Sequence, residues 1–474
     1  MPDIRYVCFS DMHLGADNSL LTNLRPGSVD ADPIKPSPVL TRLVACLREL
    51  ISKNESPTKP TLILNGDILE LALATDNVAA MAFERFIELI LPASGSSLFD
   101  QTILYIPGNH DHHLWETARE TQYVNFISGK PWSDVLEVPW HTTSMFAPDA
   151  VPGSFMNGLL RRYPHANGTV VGTVYPNFGV VSADGQRCVI FSHGHFTESI
   201  YMLMTTFRTV VFPGRNVPQQ VWDIEAENFA WIDFYWSMLG RSGDIGHDID
   251  LLYDKFTDEG QVKKIAATLA SRLAHQYGPR WLAPLLTPVL KFILARTLGA
   301  AGNMERGNAD QALSPDGEAG LRAYLEGPLR EQILRELDQT MPPQVTFVFG
   351  HTHKPFEADM HFRGYPDWAS IYNSGGWVVD SVAPQPVAGG AAILVDENLN
   401  AVSLRLYNEA PDPSRYAVRV ECASHPGAEA NPFYQRLLSL IDASMNPWRA
   451  FSDAVADAVP LYARNLQSEI NSKF

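Results

Sequence analysis

Residues 5–15 read RYVCFSDMHLG, in which an apolar run, Tyr6 to Phe9, ends at a polar cluster that carries Asp11 and His13. A short apolar run of this kind predicts a buried strand. The arrangement recurs four times, with these runs and clusters: Thr61 to Leu64 before Asn65-Gly66-Asp67, Thr102 to Ile106 before Pro107-Gly108-Asn109-His110-Asp111, Cys188 to Phe191 before Ser192-His193-Gly194-His195, and Val345 to Phe349 before Gly350-His351-Thr352-His353. Two intervening segments, 39–51 and 78–91, carry apolar residues at helical spacing. The chain is therefore predicted to be an α/β protein.

The polar clusters contain Asp, Asn and His, which are hard oxygen and imidazole ligands suited to divalent metals such as Mn, Fe, Zn or Co. In open α/β sheets, ligands bind in the loops beyond the carboxyl ends of the strands, so clusters that are distant in sequence are expected to meet there. Glycines within the clusters allow tight turns close to an ion or a phosphate. The pattern predicts a metal site assembled from several strand ends.

Composition excludes several classes of protein. The formal net charge is 36 − 53 = −17, which argues against general nucleic-acid binding because phosphate contacts require Lys and Arg. A hydrophobic fraction of 45% with 19% charged residues is typical of a folded chain and excludes disorder throughout. The four cysteines form no CxxC pair, so a disulfide scaffold or a thiolate zinc site is not expected, and a reducing compartment is indicated.

The amino-terminal residues lack the basic and apolar regions of a signal peptide, which predicts a cytoplasmic location. The most membrane-like stretch, Trp281 to Ala301, is interrupted by Pro284, Pro288, Lys291 and Arg296, so it is not expected to span a membrane. As an amphipathic element it leaves peripheral contact with a membrane surface open.

Together the motifs carry a resemblance to a known family. DMH (11–13), GD (66–67), GNHD (108–111), HGH (193–195) and GHTH (350–353) follow the order found in the calcineurin-like metallophosphoesterases, which this chain resembles over about residues 4–120, 186–196 and 344–410. The resemblance implies a four-layered α/β sandwich that holds two divalent metal ions. It implies one metal held by Asp11, His13, Asp67 and His353, and a second held by Asp67 as bridge, Asn109, His193 and His351. The general acid that it implies is His110.

The resemblance also implies the chemistry. Two cations about 3.5–4 Å apart lower the pKa of a shared water, and the resulting bridging hydroxide attacks phosphorus in line. Manganese is the first expectation, with Fe, Zn or Co as alternatives. His110 would protonate the leaving oxygen, a role worth about 10²–10⁴ in rate. We expect His193 rather than His195 to be the ligand of the HGH motif, and Glu70 or Asp111 to orient His110 or a ligand.

The predicted organisation has four parts: a core in two segments, 1–196 and 344–410, a helical insertion or cap between them, 197–343, and a largely helical tail, 411–474.

The insertion contains an aromatic and Met-rich stretch, 201–236, an amphipathic segment, 262–273, and a predicted loop, 302–320. It is interpreted as ordinary helical packing or, alternatively, as a cap that forms an apolar substrate groove. The core looks similar to lipid-sugar pyrophosphatases of the same superfamily, but the insertion carries no motif that would identify a substrate.

These features predict a phosphoesterase that acts on a phosphomonoester, phosphodiester or pyrophosphate of a small or lipid-linked molecule, with no nucleic-acid partner. One alternative is a DNA nuclease, since the DMHLG run (11–15) also resembles the opening motif of double-strand-break repair nucleases. The charge of −17 speaks against it. The other alternative is a non-catalytic scaffold that keeps the fold, against which the intact ligand set and His110 argue. The oligomeric state stays open.

Overall fold

The central strands are buried on both faces, and their side chains alternate between separate hydrophobic clusters. In the computed structural model, which describes residues 2–212, 214, 217–238, 311–412 and 416–473, Val7 and Phe9 belong to one cluster while Cys8 between them belongs to another. Val189 and Ile190 divide in the same way between the second cluster and a third. This period of two is the geometry of a strand, and it predicts that layers cover both faces of each sheet.

The described strands are β1 (Ile4–Phe9), β2 (Thr22–Leu24), β3 (Ala31–Pro36), β4 (Thr61–Asn65), β5 (Thr102–Ile106), β6 (Val151–Pro152), β7 (Val170–Thr173), β8 (Asn177–Val181), β9 (Arg187–Ser192), β10 (Gln344–Phe349), β11 (Phe356–Met360), β12 (Ala369–Asn373), β13 (Gly389–Asp396), β14 (Ala401–Asn408) and β15 (Arg419–Glu421). The described α-helices are α1 (Pro38–Ile51), α2 (Asp76–Ile90), α3 (His113–Ser128), α4 (Ser154–Leu160), α5 (Leu203–Val211), α6 (Val221–Trp231), α7 (Pro315–Tyr324), α8 (Arg330–Glu336), α9 (Pro432–Leu440) and α10 (Trp448–Lys473).

Two large sheets form the centre of the protein. The first has eight strands in the order β15-β14-β13-β1-β4-β5-β7-β6, with β1, β4, β5 and β7 parallel to one another. The second has five strands in the order β11-β12-β10-β9-β8, with β12, β10 and β9 parallel. In each sheet the strands that lead into the polar clusters are parallel neighbours. Their carboxyl ends therefore meet at one edge.

The layers follow from the clusters. Ile63 and Ile393 of the first sheet share a cluster with Phe191 and Val348 of the second, so the two sheets pack face to face. The outer face of the first sheet packs on α1 and α2, and the outer face of the second on helices between residues 200 and 337. The predicted four-layered α/β sandwich is confirmed.

Most of the described residues of the predicted insertion, 197–343, are helical, and these helices pack directly on the second sheet. Ile224 of α6, Leu321 of α7 and Ile333 of α8 share a cluster with Ile190 and Phe347 of the sheet. These helices form the fourth layer of the sandwich. Segments 262–273 and 281–301 lie outside the described residues.

The expectation of a loop over 302–320 is wrong in its last part, because α7 begins at Pro315. The side chain of Ser314 accepts a hydrogen bond from the N–H of Gly317, and Asp316 and Glu318 lie in the first turn of the helix. A capping Ser followed by Pro and acidic residues starts a helix. This local chemistry outweighs the Gly- and Asp-rich composition on which the loop was predicted. Residues 302–310 lie outside the described part of the chain.

The tail belongs to the hydrophobic core. β15 extends the first sheet by pairing with β14, and α10 packs against α1. Phe433, Phe451 and Val455 lie in the same buried cluster as Leu43 of α1. Within the residues that the structure describes, no helix is both long and apolar enough to cross a bilayer.

The packing of the tail predicts a large stability effect for Phe451→Ala. Phe451 is fully buried, and removal of a buried Phe side chain costs about 3–5 kcal/mol because a cavity remains. Leu461→Ala on the same helix is the matched control, since Leu461 is 41% exposed and its truncation should cost less than about 0.5 kcal/mol. Urea unfolding measures both. Equal small effects would contradict the placement of α10 in the cooperative core.

Candidate metal centre

Five loops that follow β1, β4, β5, β9 and β10 converge at one edge of the sandwich, and main-chain hydrogen bonds join the first loop to the second and the fourth to the fifth. The N–H of Asp11 donates to Gly66 O at 2.9 Å, and the N–H of His13 donates to Asp67 O at 2.9 Å. The N–H of Gly350 donates to the carbonyl of His193 at 3.0 Å. Residues hundreds of positions apart are thereby brought into one buried volume.

The structure brings all seven predicted metal residues together in two adjoining clusters. Potential ligand atoms of Asp11, His13 and His353 lie within 4.8 Å of one another, as do those of Asp67, His193 and His351. Asn109 joins the second cluster, with its Oδ1 3.0 Å from His193 Nε2.

Asp67 lies between the two clusters. Its Oδ2 is 3.8 Å from His13 Nε2 in one cluster and 3.4 Å from His193 Nε2 in the other. The carboxylate is fully buried. Its position is the one expected of a ligand shared by two ions.

Hydrogen bonds on the outer side of the rings direct their lone pairs into the clusters. His13 Nδ1 donates to Glu70 Oε2 at 2.8 Å, and His353 Nδ1 donates to Asp380 Oδ2 at 2.6 Å. Since a carboxylate only accepts, each Nδ1 carries a proton, and Nε2 is the nitrogen that each ring can offer to a metal ion. The two Nε2 atoms are 3.2 Å apart. Two ring nitrogens at this distance need a proton or a metal ion between them, and together with Asp11 they form a donor set that fits a divalent metal ion.

The carboxylates in the clusters are ionised. Burial favours the neutral acid at Asp11, but the hydrogen bond from His353 and the charge of His193 outweigh it and lower its pKa to about 2. At Asp67 burial again opposes ionisation, and the charges of His193 and His110 hold the pKa well below its usual range. Two buried negative charges therefore face the converging imidazoles, as a cation site requires.

The backbone of the loops is strained at the ligand positions. Positive φ angles occur at Asp11 (50°), His13 (44°), Asp67 (50°), His351 (70°) and His353 (59°), none of which is a glycine. Such conformations cost of the order of 1–3 kcal/mol each and persist where the surrounding structure enforces them. Concentration of this strain in one site is characteristic of a functional centre.

Close approach explains two of the motif glycines. A Cβ added at Gly108 would lie 2.2 Å from Asp67 Oδ1, and one added at Gly66 would lie 2.3 Å from His193 Nδ1. Gly66 also has a φ of +84°. The prediction that glycine is needed for tight turns in these motifs agrees with this geometry.

Glu70 connects one of the clustered imidazoles to His110. Its Oε2 accepts from His13 Nδ1 and its Oε1 from His110 Nδ1, the latter at 2.9 Å. Burial raises the pKa of Glu70, but the charge and hydrogen bond of His110 prevail and keep it well below the usual range. The carboxylate is thus anionic and orients both rings.

Asp111 acts on the main chain and not on His110. It accepts hydrogen bonds from the N–H groups of Gly108 at 2.7 Å and Ile68 at 2.8 Å. The carboxylate therefore ties the loop of Asp67 to the loop of Asn109. Of the two orienting residues predicted from sequence, Glu70 contacts the His110 ring, and Asp111 accepts a hydrogen bond from the main-chain N–H of the predicted ligand Asp67 at 3.3 Å.

Several residues of the centre carry no sequence signal. Asp380, which orients His353, lies in a loop between β12 and β13 without a motif. Glu198 has its Oε1 3.4 Å from His351 Nε2 and lies just beyond the HGH motif.

His195 of the HGH motif is not in either metal cluster and instead has its Nε2 3.2 Å from the Tyr175 hydroxyl.

A cavity of about 560 Å³ adjoins the centre. Glu198 lines it and also contacts His351, so one side chain borders both the cavity and the metal clusters. The other lining residues are largely apolar or small and include Phe196, Ile200, Met202, Ile224, Ala323 and Tyr324. Its volume lies in the range of ligand pockets.

Comparison with known proteins identifies the family. A family model described as calcineurin-like phosphoesterase matches residues 4–355, whereas no curated protein matches the chain. The match covers well over half of the sequence and includes every residue of the two clusters as well as His110. This match places the chain in the calcineurin-like phosphoesterase family. Since its buried Asp and His side chains also have the geometry of a divalent metal site, the chain is a metal-dependent phosphoesterase.

Proposed function

We propose that the protein hydrolyses a phosphate ester or a pyrophosphate bond with two divalent ions, of which manganese is the first candidate. The observation that carries the proposal is the pair of buried clusters with Asp67 between them. Asp11, His13, Asp67 and His353 would hold one ion, and Asp67, Asn109, His193 and His351 the other. When bound, the two ions supply a nucleophile at neutral pH and offset the negative charge of the phosphoryl group.

His110 is the proposed general acid. Its main-chain N–H donates to Asp67 Oδ1 at 2.8 Å, which fixes the residue beside the proposed shared ligand. Its Nδ1 is bonded to the anionic Glu70, which stabilises a protonated ring and leaves Nε2–H as the donor for the leaving oxygen. After that transfer the neutral ring keeps the Nδ1 proton in the bond to Glu70.

The cavity supports a substrate with an apolar substituent. It borders the centre through Glu198, and most of its lining side chains are apolar or small. A net charge of −17 disfavours a polyanionic nucleic-acid substrate. We therefore propose an ester or pyrophosphate that carries a hydrocarbon group of a few methylenes or more.

The first prediction concerns metal-dependent turnover of bis(4-nitrophenyl) phosphate. The chelated protein should be inactive and should regain activity with Mn²⁺, whereas Asp67→Ala should stay inactive because both clusters lose their shared ligand. The initial rate of 4-nitrophenol release measures this, with the monoester in parallel to separate diesterase from monoesterase action. Activity that survives both chelation and Asp67→Ala would contradict the proposal.

The second prediction is that His110→Ala loses turnover while it retains two metal ions per chain. For an ester with a poor leaving group such as phenolate, loss of the general acid should lower kcat by about 10²–10⁴. Elemental analysis after gel filtration reports the metal content, and His165→Ala, which alters an exposed histidine outside the clusters, is the control. If the metals are lost with the ring, His110 is a ligand and the assignment is wrong.

The third prediction tests the cavity with Ala323→Phe. The added ring should occupy space that would accept about two methylenes, each worth about 0.8 kcal/mol, so KM for 4-nitrophenyl decyl phosphate should rise roughly tenfold. KM for 4-nitrophenyl methyl phosphate should not change. Glu318→Phe adds the same ring to α7 outside the cavity lining and serves as control. An equal change in KM for both esters would show that the cavity does not bind the hydrocarbon group of the substrate.

A further inference from the structure

A buried polar network joins α6, in the fourth layer, to the loop that carries His110. His112 is fully buried at the start of α3, two residues after His110. Its Nε2 lies 2.9 Å from Glu225 Oε1, and its Nδ1 lies 3.4 Å from Asp233 Oδ1. Glu225 belongs to α6, and Asp233 to the π-helical turn Ile232–Trp236 that continues it. Neither carboxylate belongs to a metallophosphoesterase motif.

Both nitrogens of His112 face carboxylate oxygens, which only accept hydrogen bonds when ionised. The ring therefore carries a proton on each nitrogen. Burial by itself would lower the pKa of His112, but the charges and hydrogen bonds of Glu225 and Asp233 raise it to about 9. A charged imidazole held between two carboxylates in a buried site is costly to displace.

Glu225 also reaches the loop of the HGH motif. Its Oε2 accepts from the Tyr175 hydroxyl at 3.0 Å, and the same hydroxyl lies 3.2 Å from His195 Nε2. Tyr175 stacks on Trp115 of α3, with ring centroids 5.3 Å apart. One carboxylate thus fastens the chain after β5 to the chain after β9.

The segment 108–113 is held from several sides. Gly108 donates to Asp111 and the main-chain N–H of His110 donates to Asp67, both inside the centre. His112 is held by Glu225, and the N–H of His113 donates to Ser237 Oγ at 3.0 Å. The inner bonds connect to the metal residues, and the outer ones come from α6 and its continuation.

We propose that Glu225 is a positioning residue that, through His112, sets the placement of His110 against the leaving oxygen of the substrate. This inference rests on the proposed role of His110 as general acid. Within the described residues, Glu225 bonds the His112 ring and the Tyr175 hydroxyl, so it acts on the side chain two residues beyond the acid. The fourth layer accordingly takes part in the reaction geometry as well as in packing.

The test exploits the dependence of general acid catalysis on the leaving group. Proton donation matters most for a poor leaving group such as phenolate and least for a good one such as 4-nitrophenolate. In the Mn²⁺-loaded full chain, Glu225→Gln should lower kcat for a phenyl phosphodiester roughly 10- to 100-fold, since small misplacements of a catalytic group have effects of that order. The matching 4-nitrophenyl diester should lose less than about threefold, with KM and metal content unchanged.

Glu227→Gln is the matched control, because Glu227 lies on the same helix and bonds Thr205 and Arg208 instead of the network. Glu225→Asp should recover part of the lost phenyl ester activity, since it keeps the charge. Should Glu225→Gln fail to fold, Asp233→Asn provides the second variant, with the same selective loss expected because Asp233 is the other partner of His112.

His110→Ala, measured on the same two esters, separates failure of the inference from failure of the proposed function. If His110→Ala is selective for the phenyl ester and the Glu225 variants are not, Glu225 has only a structural role and the inference is overturned. Equal losses on both esters, or loss of bound metal, in the Glu225 variants overturn it too. If His110→Ala shows no selectivity, the general acid assignment fails, and with it the basis of the inference.

Discussion

The crowding of carboxylates and imidazole nitrogens at one buried edge is the constraint on which the rest of this structure depends. Asp11 and Asp67 are fully buried and anionic, and the Nε2 atoms of His13 and His353 lie 3.2 Å apart. In a medium of low dielectric constant such groups stay together only if a cation balances them or if the surrounding structure prevents their separation. The fold prevents the separation of these groups and thereby forms a site that a cation can occupy.

That surrounding structure works at three levels. At five ligand positions a strained backbone with positive φ sets the direction of the side chain. Outer partners such as Glu70 and Asp380 decide which nitrogen of each ring faces inward. Two sheets packed face to face then place loops from separate strands at a common edge, and the helices outside them exclude water. Because each level depends on the next, a change in any of them is expected to alter the positions of the ligand side chains.

Much of this architecture could be predicted from sequence because its signals are local. A strand followed at once by Asp, Asn or His is visible in ten residues, and the resemblance of the motif order to a known family implies the sandwich and the ligand set. Asp380, Glu198 and Glu225 escaped prediction because only tertiary packing brings them to the centre, from a loop or helix with no motif of its own. The same reason hid β15, a three-residue strand that pairs only because β14 presents an open edge. At residues 315–320 the cause is different: the composition is typical of a loop, but the capping residue Ser314 starts a helix there.

The position of β1 in the first sheet determines when the site can exist during biosynthesis. β1 lies between β4 and β13, and its residue Ile4 pairs with Asp396. His353 follows His13 by 340 residues in the chain, and Asp380 and the strand that pairs with β1 are synthesised later still. Contacts of such long sequence separation form slowly. Until β13 has been synthesised and has paired with β1, the chain holds only part of the ligand set in place, so the complete metal centre can form only after that pairing.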